Sequence, residues 1–410
     1  MALSHNSCNT VEKFRERPQF IGRLGRVVHA FAPFTSSSAL VLGILAWAGC
    51  WIGRSIYTIF QGKQVYPSSF VLLIGSSMAC DVVVQITDQF ATAFGDPVSR
   101  VHMGIRDALS LIYTVRDKLI RPEKQFTEQN EPARYSRVLV DRGERERRVL
   151  IHQGSLTAIL RRIGNAGASL GEAFRCSFSG RDVAAFMNLR DGGFLRSSQP
   201  HICVFSSCSR PDAIAIPPSV RDLFLFAEGH LDSFFGDFDA GLKELNAVLP
   251  DCCVAAAEAD GEIPLAPEAL RAIQEEIRAF PQAARGMAAI KIIKIAQPWA
   301  VLDSCRSIDR PHVIAASEVV KESQRVLGEC QESEDQAYVE NIACTIEEGL
   351  CRDTGAGLSG SQINRVFGGN LKKGTLKRAK ELLLRQGRAT VTYIPTDGRP
   401  LERWRLGDPK

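Results

Sequence analysis

Short apolar runs that end in polar turns recur along the first half of the chain. They lie at residues 68–75 (SSFVLLIG), 148–152 (RVLIH) and 201–205 (HICVF), and each precedes a segment with helical spacing. Continuous apolar runs of this length are typical of strands buried on both faces. Their alternation with helices predicts an α/β fold with a mainly parallel sheet, and the later segments add a helical connector and a winged helix.

One apolar segment is long enough to raise the question of a membrane span. Residues 39–52 read ALVLGILAWAGCWI, and Arg54 lies just beyond them. These fourteen residues fall short of the roughly 20 that a spanning helix needs. Small residues such as Gly43 and Gly49 suit a close-packed buried helix. We therefore expect a helix inside the protein, and membrane association through this segment is the alternative.

Charge and helical periodicity organise the rest of the chain. Residues 118–148 carry many charges of both signs, which predicts an exposed hairpin or loop. Apolar positions at helical spacing in residues 264–330 predict a helical connector, and the polar segment 331–336 separates this connector from the C-terminal residues. The predicted domains are an N-terminal arm, a P-loop-like α/β domain, the helical connector and a winged-helix domain, over residues 1–36, 37–263, 264–334 and 335–410.

The C-terminal segment predicts three helices and then a β-hairpin. The helices are expected at residues 338–351, 359–367 and 373–385, and the strands at residues 388–394 and 401–406. Ser359 and Gln362 have the spacing of a capping box at the start of the second helix. This order of elements is the winged form of helix-turn-helix, in which the third helix enters the DNA major groove.

The charge of the chain is concentrated in this module. The formal net charge is only +4, yet residues 361–410 contain twelve basic and four acidic side chains. Cations on a third helix and a wing would neutralise DNA phosphates. We expect DNA contacts from basic residues of these two elements, namely Lys372, Lys373, Lys377, Arg378, Lys380, Arg399 and Arg403. Because winged helices also serve as protein-docking modules, that alternative stays open.

Cysteine and histidine spacing gives no sign of a metal site. The twelve cysteines contain no C-x-x-C pair, and the seven histidines form no H-x-x-x-H pattern. Residues 1–18 lack the apolar stretch of a secretory signal. We therefore expect a cytoplasmic chain that binds no metal.

Residues 51–54 (WIGR) and 66–75 (YPSSFVLLIG) carry a family resemblance. A helix that ends in Gly-Arg, an aromatic-proline turn and a strand that ends in glycine resemble the P-loop domain of primase-helicase-like proteins from plasmids, phages and integrated elements. The order of parts is similar from about residue 39 to residue 406 and includes the winged helix. The resemblance implies a nucleotide-binding fold, and for active members it implies ring assembly and DNA translocation.

The residues that ATP binding needs are missing from the phosphate loop. The loop pattern is G-x-x-x-x-G-K-[ST], in which the lysine meets phosphate and the hydroxyl binds Mg²⁺. Here Cys80 stands at the second glycine, Asp81 at the lysine and Val82 at the hydroxyl. A carboxylate at that place would repel phosphate. We expect the remnant loop, Gly75, Ser76 and Ser77, to be inactive.

Two further positions of the family have lost their charged groups. Residues 148–152 end in His152 rather than in metal-holding acids, and residues 232–237 lack the Asn-Arg pair of an arginine finger. Arg210 is either a sensor-like remnant or a surface ion-pair partner. The leading hypothesis is a non-catalytic DNA-binding protein of a mobile element, without a cofactor, partnered by DNA and by a second copy or a replication protein. The alternative is an active ATPase or helicase subunit that uses ATP and Mg²⁺ through a divergent loop.

Overall fold

The structure is a computed structural model that falls into two units. It describes residues 20–32, 35–93, 99–101, 104–125, 134–144, 147–152, 156–166, 168–187, 193–229, 238–353, 357–368, 371–396 and 400–407. The first unit extends to residue 327 and the second begins at residue 328. Each unit has a hydrophobic core of its own.

The secondary structure of the first unit alternates strands and helices. Its strands are β1 (Ile56–Phe60), β2 (Lys63–Val65), β3 (Phe70–Gly75), β4 (Ser99–Val101), β5 (Leu119–Gln125), β6 (Arg134–Asp141), β7 (Arg148–Ile151), β8 (Val183–Met187), β9 (Gly193–Ser197), β10 (His201–Cys208), β11 (Leu225–Gly229) and β12 (Gly261–Glu262). Its helices are α1 (Gly22–Phe31), α2 (Ser37–Ile52), α3 (Ser77–Ala93), α4 (Ala108–Tyr113), α5 (Leu156–Ala166), α6 (Ala168–Phe178), α7 (Arg210–Ala215), α8 (Pro218–Arg221), α9 (Phe238–Glu258), α10 (Pro267–Glu276) and α11 (Arg285–Leu302). Helix α12 (Arg310–Arg352) begins in this unit and continues into the second.

A five-stranded parallel sheet forms the centre of the described part of this unit. The strand order is β11-β3-β10-β7-β4, and every pairing in it is parallel. Phe70 packs on one side of β3 against Phe174 and Phe224. Val71 and Leu73 belong to the core on the other side. A strand with apolar partners on both faces needs a continuous apolar sequence, so the predicted α/β fold with a mainly parallel sheet is confirmed.

Among the described helices α2 is the most apolar, and it is buried in the first unit. Leu40, Leu42, Ile44 and Leu45 are at most 1% exposed, and the helix contacts β3, β7, β10 and β11. Ser36 begins the helix by accepting a hydrogen bond from the Ala39 amide. Within the described ranges, no helix combines the length and apolarity that a membrane span requires.

The predicted N-terminal arm and helical connector share this core. Helix α1 buries its apolar face, and the amide of its second residue, Arg23, donates to Asp303 Oδ1 at 2.8 Å. Trp299 of α11 and Val320 of α12 belong to the same core cluster as α2. The polar segment 331–336, expected as a boundary, is helical and exposed within α12.

Small β-elements surround the sheet. Strands β5 and β6 form the antiparallel hairpin expected within the charged residues 118–148. Strands β8 and β9 form a second hairpin. Strand β1 pairs with β2 and, in parallel, with the two residues of β12.

The second unit is a winged helix. After α12 it contains β13 (Leu358–Ser359), α13 (Gly360–Val366), α14 (Lys373–Arg385), β14 (Ala389–Ile394) and β15 (Leu401–Leu406), with the sheet order β13-β15-β14. Ser359 and Gln362 form the predicted capping box. Leu383 and Trp404 lie in the core, and Arg388 binds Glu340 and Glu347 of α12. Helix α14 and strand β15 have the bounds that the sequence predicts for the third helix and the second wing strand.

Candidate functional site

The carboxyl edge of the parallel sheet is where a nucleotide would be expected. Strands β3 and β10 are neighbours in the sheet, and their outgoing connections run in opposite directions. After β3 the next strand of the sheet is β4 at one edge, and after β10 it is β11 at the other edge. Such a reversal of direction opens a crevice at the carboxyl ends of the strands, where α/β sheets bind ligands. Gly75 ends β3 at this point. The topology therefore puts the remnant loop in the position of a phosphate loop.

The loop between β3 and α3 is a single residue long. Helix α3 begins at Ser77, so Ser76 alone separates it from β3. The Ser76 hydroxyl accepts from the Ala79 amide at 3.3 Å, and its carbonyl accepts from the Cys80 amide at 3.1 Å. A working loop directs several free amides at phosphate. Here two of the amides that follow the strand are bound by the helix cap.

Gly75 has a packing reason that is independent of nucleotides. It pairs with Gly229 at the end of β11, and a Cβ added at Gly75 would lie 2.3 Å from the Gly229 carbonyl oxygen. A Cβ added at Gly229 would in turn lie 3.3 Å from Cys80 Sγ. The two glycines let the strand ends and the start of α3 approach closely, so the surviving glycine is explained without a ligand.

The three substituted loop positions all lie in the first turns of α3. Cys80 is 2% exposed, and burial raises the pKa of its thiol to about 11, with Asp81 adding to the shift. Asp81 is exposed, whereas Val82 packs against the hydrophobic core. None of these three side chains offers a cation or a hydroxyl to a nucleotide.

Among the described residues at the neighbouring strand ends, the polar side chains have partners within the protein. His152 follows β7, and its Nδ1 lies 2.7 Å from the carbonyl oxygen of Phe205. Arg210 forms an ion pair with Glu228 on β11, as expected of a surface ion-pair partner. Residues 232–237, predicted to have lost an arginine finger, lie outside the described residues. No group of three side chains that could bind a metal occurs in the described ranges.

The basic residues predicted to bind DNA differ in how they are held. Lys372 is exposed, and Lys377 is 77% exposed with a distant partner, Glu381, at 3.7 Å. Arg378 is 51% exposed and lies 3.6 Å from Asp335 of α12. Surface pairs of this kind contribute little and exchange readily with other anions. These three cations are accessible on α14 and the residue before it.

Two of the predicted cations have structural contacts inside the unit. Lys380 is only 15% exposed, pairs with Glu402 at 3.1 Å and lies over the Trp404 ring. Arg403 donates to the Gly357 carbonyl at 2.9 Å. The side chain of Lys373 and the whole of Arg399 lie outside the described residues. A DNA contact by Lys380 would therefore require it to leave Glu402.

The sequence reasoning also missed a cation. Arg405 is exposed on β15, and in the described part of the structure its side chain takes part in no hydrogen bond or ion pair. The signal was present in the sequence, because residues two apart on a strand point to the same face and Arg403 is among the predicted DNA contacts.

No protein-family model matches the sequence, and neither does any curated protein. Among solved structures, a full-length MCM homolog from Methanopyrus kandleri is similar over 74% of this chain, at 12% sequence identity and a TM-score of 0.38. This chain spans 59% of the length of that protein.

Proposed function

We propose that this protein is a non-catalytic DNA-binding protein built on a pseudo-ATPase scaffold. In this proposal the winged helix contacts DNA, and the α/β unit supports assembly with a second copy or with a replication protein. The family resemblance of the sequence suggests a role in the replication, maintenance or regulation of a mobile element in the cytoplasm.

The observation that carries the proposal is the winged-helix unit with its accessible cations. Three cations are exposed: Lys372 just before α14, Lys377 on α14 and Arg405 on the wing. Lysine and arginine on such elements bind phosphates and supply most non-specific DNA affinity.

The non-catalytic part of the proposal rests on the loop after β3. A single residue, Ser76, separates β3 from α3. Cys80 and Val82 are part of α3 and pack in or against the hydrophobic core. An ATPase needs a lysine and a metal-binding hydroxyl here. An active site made from a divergent loop would have to unwind the first turns of α3.

The test is duplex-DNA binding by the full chain across a salt series. Fluorescence anisotropy with a labelled duplex of mixed sequence would compare wild type with the variant Lys372→Ala, Lys377→Ala, Arg405→Ala. A matched control removes three exposed cations of the first unit, Lys63→Ala, Arg271→Ala and Arg306→Ala.

We expect steep weakening of wild-type binding between about 50 and 200 mM salt. Each lost phosphate contact reduces the slope of log affinity against log salt by about one. The winged-helix variant should therefore lose about two to three from that slope, while the control keeps the wild-type value. Absence of wild-type binding, or equal losses in both variants, would contradict the proposal and leave protein docking as the role of the winged helix.

A further inference from the structure

The two faces of the wing hairpin differ in chemistry. The inner face carries the pairs Ala389 with Leu406, Val391 with Trp404 and Tyr393 with Glu402. It packs on the core at Ala389 and Trp404, which are 2% and 4% exposed, whereas Tyr393 on the same face is exposed. The other three cross-strand pairs form what we call the outer wing face: Thr390 with Arg405, Thr392 with Arg403 and Ile394 with Leu401.

Three cations of α14, namely Lys377, Arg378 and Lys380, lie beside acids. Glu402 accepts from Lys380 Nζ and from Trp404 Nε1, each at 3.1 Å. Lys377 has Glu381 one turn away. Contact with DNA at these positions would have to displace or tolerate a carboxylate.

The outer wing face has no such compensation. It carries two arginines and two threonines and, among its described residues, no acid. Arg405 is exposed, and Arg403 uses one of its five N–H donors on the Gly357 carbonyl. Guanidinium and hydroxyl groups are the side chains that commonly bind phosphate oxygens. The charge of this face is therefore complementary to a nucleic-acid backbone.

At the end of the outer wing face nearest the hairpin tip lies a pair of apolar residues, Ile394 and Leu401. Ile394 is 44% exposed and Leu401 is 36% exposed, and they are directly opposite each other in the register. Apolar side chains beside a phosphate-binding row are suited to the sugar and base surfaces that line a DNA groove. Along the hairpin the outer wing face thus changes from cationic and hydroxylic to apolar.

We propose that the outer wing face, rather than α14, makes the main contact with duplex DNA. Arg403, Arg405 and the two threonines bind the phosphate backbone, and Ile394 with Leu401 lies against the groove. The inference rests on the proposed function and states which surface performs it.

Four variants of the full chain test this assignment, with the same labelled duplex and salt series. Arg405→Ala and Lys377→Ala each remove one exposed cation, the first from the outer wing face and the second from α14. The double variant Ile394→Ser, Leu401→Ser removes the apolar pair. Tyr393→Ser is its control, because Tyr393 is 64% exposed on the same strand but belongs to the inner face.

The two kinds of contact give different salt signatures. Arg405→Ala should lower the salt slope by about one, and Lys377→Ala should change it by less. The Ile394, Leu401 variant should weaken binding about tenfold at every salt concentration without changing the slope, because burial of apolar surface releases no counterions. Tyr393→Ser should bind like wild type. The substituted side chains are all exposed, and circular dichroism would establish that each variant is folded.

The outcomes separate the inference from the proposed function. If the wild type binds DNA but Lys377→Ala loses more affinity and slope than Arg405→Ala, the outer wing face is overturned while DNA binding stands. If Tyr393→Ser is as weak as the Ile394, Leu401 variant, the contact is with the hairpin tip rather than with a face, which also overturns it. A wild type that binds no DNA overturns both.

Discussion

Lys294 gives the sharpest prediction about the stability of the first unit. It is 3% exposed on α11, and its ammonium group donates to the Tyr66 carbonyl at 2.9 Å and to the Ser68 hydroxyl at 2.6 Å. The Phe178 ring lies 4.5 Å from it. Burial lowers the pKa of this lysine to about 7, although the neighbouring Cys203 opposes part of the shift. We predict that Lys294 makes the stability of the unit depend on pH near neutrality.

The direction follows from where each state binds the proton. Well below pH 7 both folded and unfolded chains carry it, so the folded state bears the full cost of a buried charge. Between pH 7 and the ordinary value of 10.5 the unfolded chain alone keeps the proton, and the free energy of unfolding therefore rises with pH. One pKa unit corresponds to about 1.4 kcal/mol, so we expect a rise of about 2 kcal/mol between pH 7 and 9 from this group.

The assay compares wild type with Lys294→Met by urea unfolding at both pH values. A Trp404→Phe background makes tryptophan fluorescence report Trp47, Trp51 and Trp299 of the first unit. Subtracting the free energy of unfolding of the variant from that of wild type at each pH removes the contributions of all other titrating groups, which the two proteins share. The free energy of unfolding of wild type should gain about 2 kcal/mol relative to the variant on going from pH 7 to 9. The exposed-lysine variant Lys63→Met should follow wild type. A difference that is flat with pH, or that falls, would refute the reasoning.

Three further predictions concern the remnant loop and the winged helix. Gly75→Ala should lower the free energy of unfolding of the first unit by about 1–3 kcal/mol in urea unfolding, because its Cβ would meet a carbonyl oxygen at 2.3 Å. The control Gly286→Ala has open space around its Cβ and should lower it by nothing. Equal effects of the two substitutions would contradict the close approach at Gly75. Equilibrium dialysis should find no saturable binding of ATP with Mg²⁺, and saturable binding would restore the ATPase alternative. Ser359→Ala should lower the melting temperature of the second unit through a loss of about 1 kcal/mol, while Ser361→Ala, which caps nothing, should not.

Patterns that depend on neighbours in the sequence were readable, and those that depend on distant contacts were not. Helix α14 was predicted with its observed bounds because its apolar spacing and Gly387 mark both the face and the end. Strand β11 was missed although residues 223–229 (LFLFAEG) are a short apolar run that ends in glycine. Strand β4 has only three residues and carries too little pattern to be recognised.

The polar segment 331–336 lies close to the division between the two units at residues 327 and 328, but the backbone stays helical there. Its residues are exposed on every side of α12, so the sequence there lacks an apolar face. The glutamates and glutamines of this segment nevertheless favour helix, and the 43-residue helix continues through them. Polarity marked exposure here rather than a break in the backbone.

For the candidate sites too, the sequence predicted features that depend on neighbouring residues and missed features that depend on distant contacts. Sequence identified the loss of the lysine and hydroxyl at Asp81 and Val82, because the loop pattern is local. It could not give the reason for Gly75, whose partner Gly229 is brought to it by the sheet. Nor could it separate accessible cations from Lys380, whose carboxylate partner is on the wing.

The position of α2 in the sequence has a consequence during synthesis. The strands that cover this helix end with β11, so Ile52 is made 177 residues before Gly229, the difference between the two residue numbers. At about 5–20 residues per second, this interval lasts roughly 10–35 s. Over that time an almost wholly apolar helix leaves the ribosome without the sheet it belongs to. We expect the nascent chain to depend on chaperones that shield apolar segments, and its yield to fall when they are depleted.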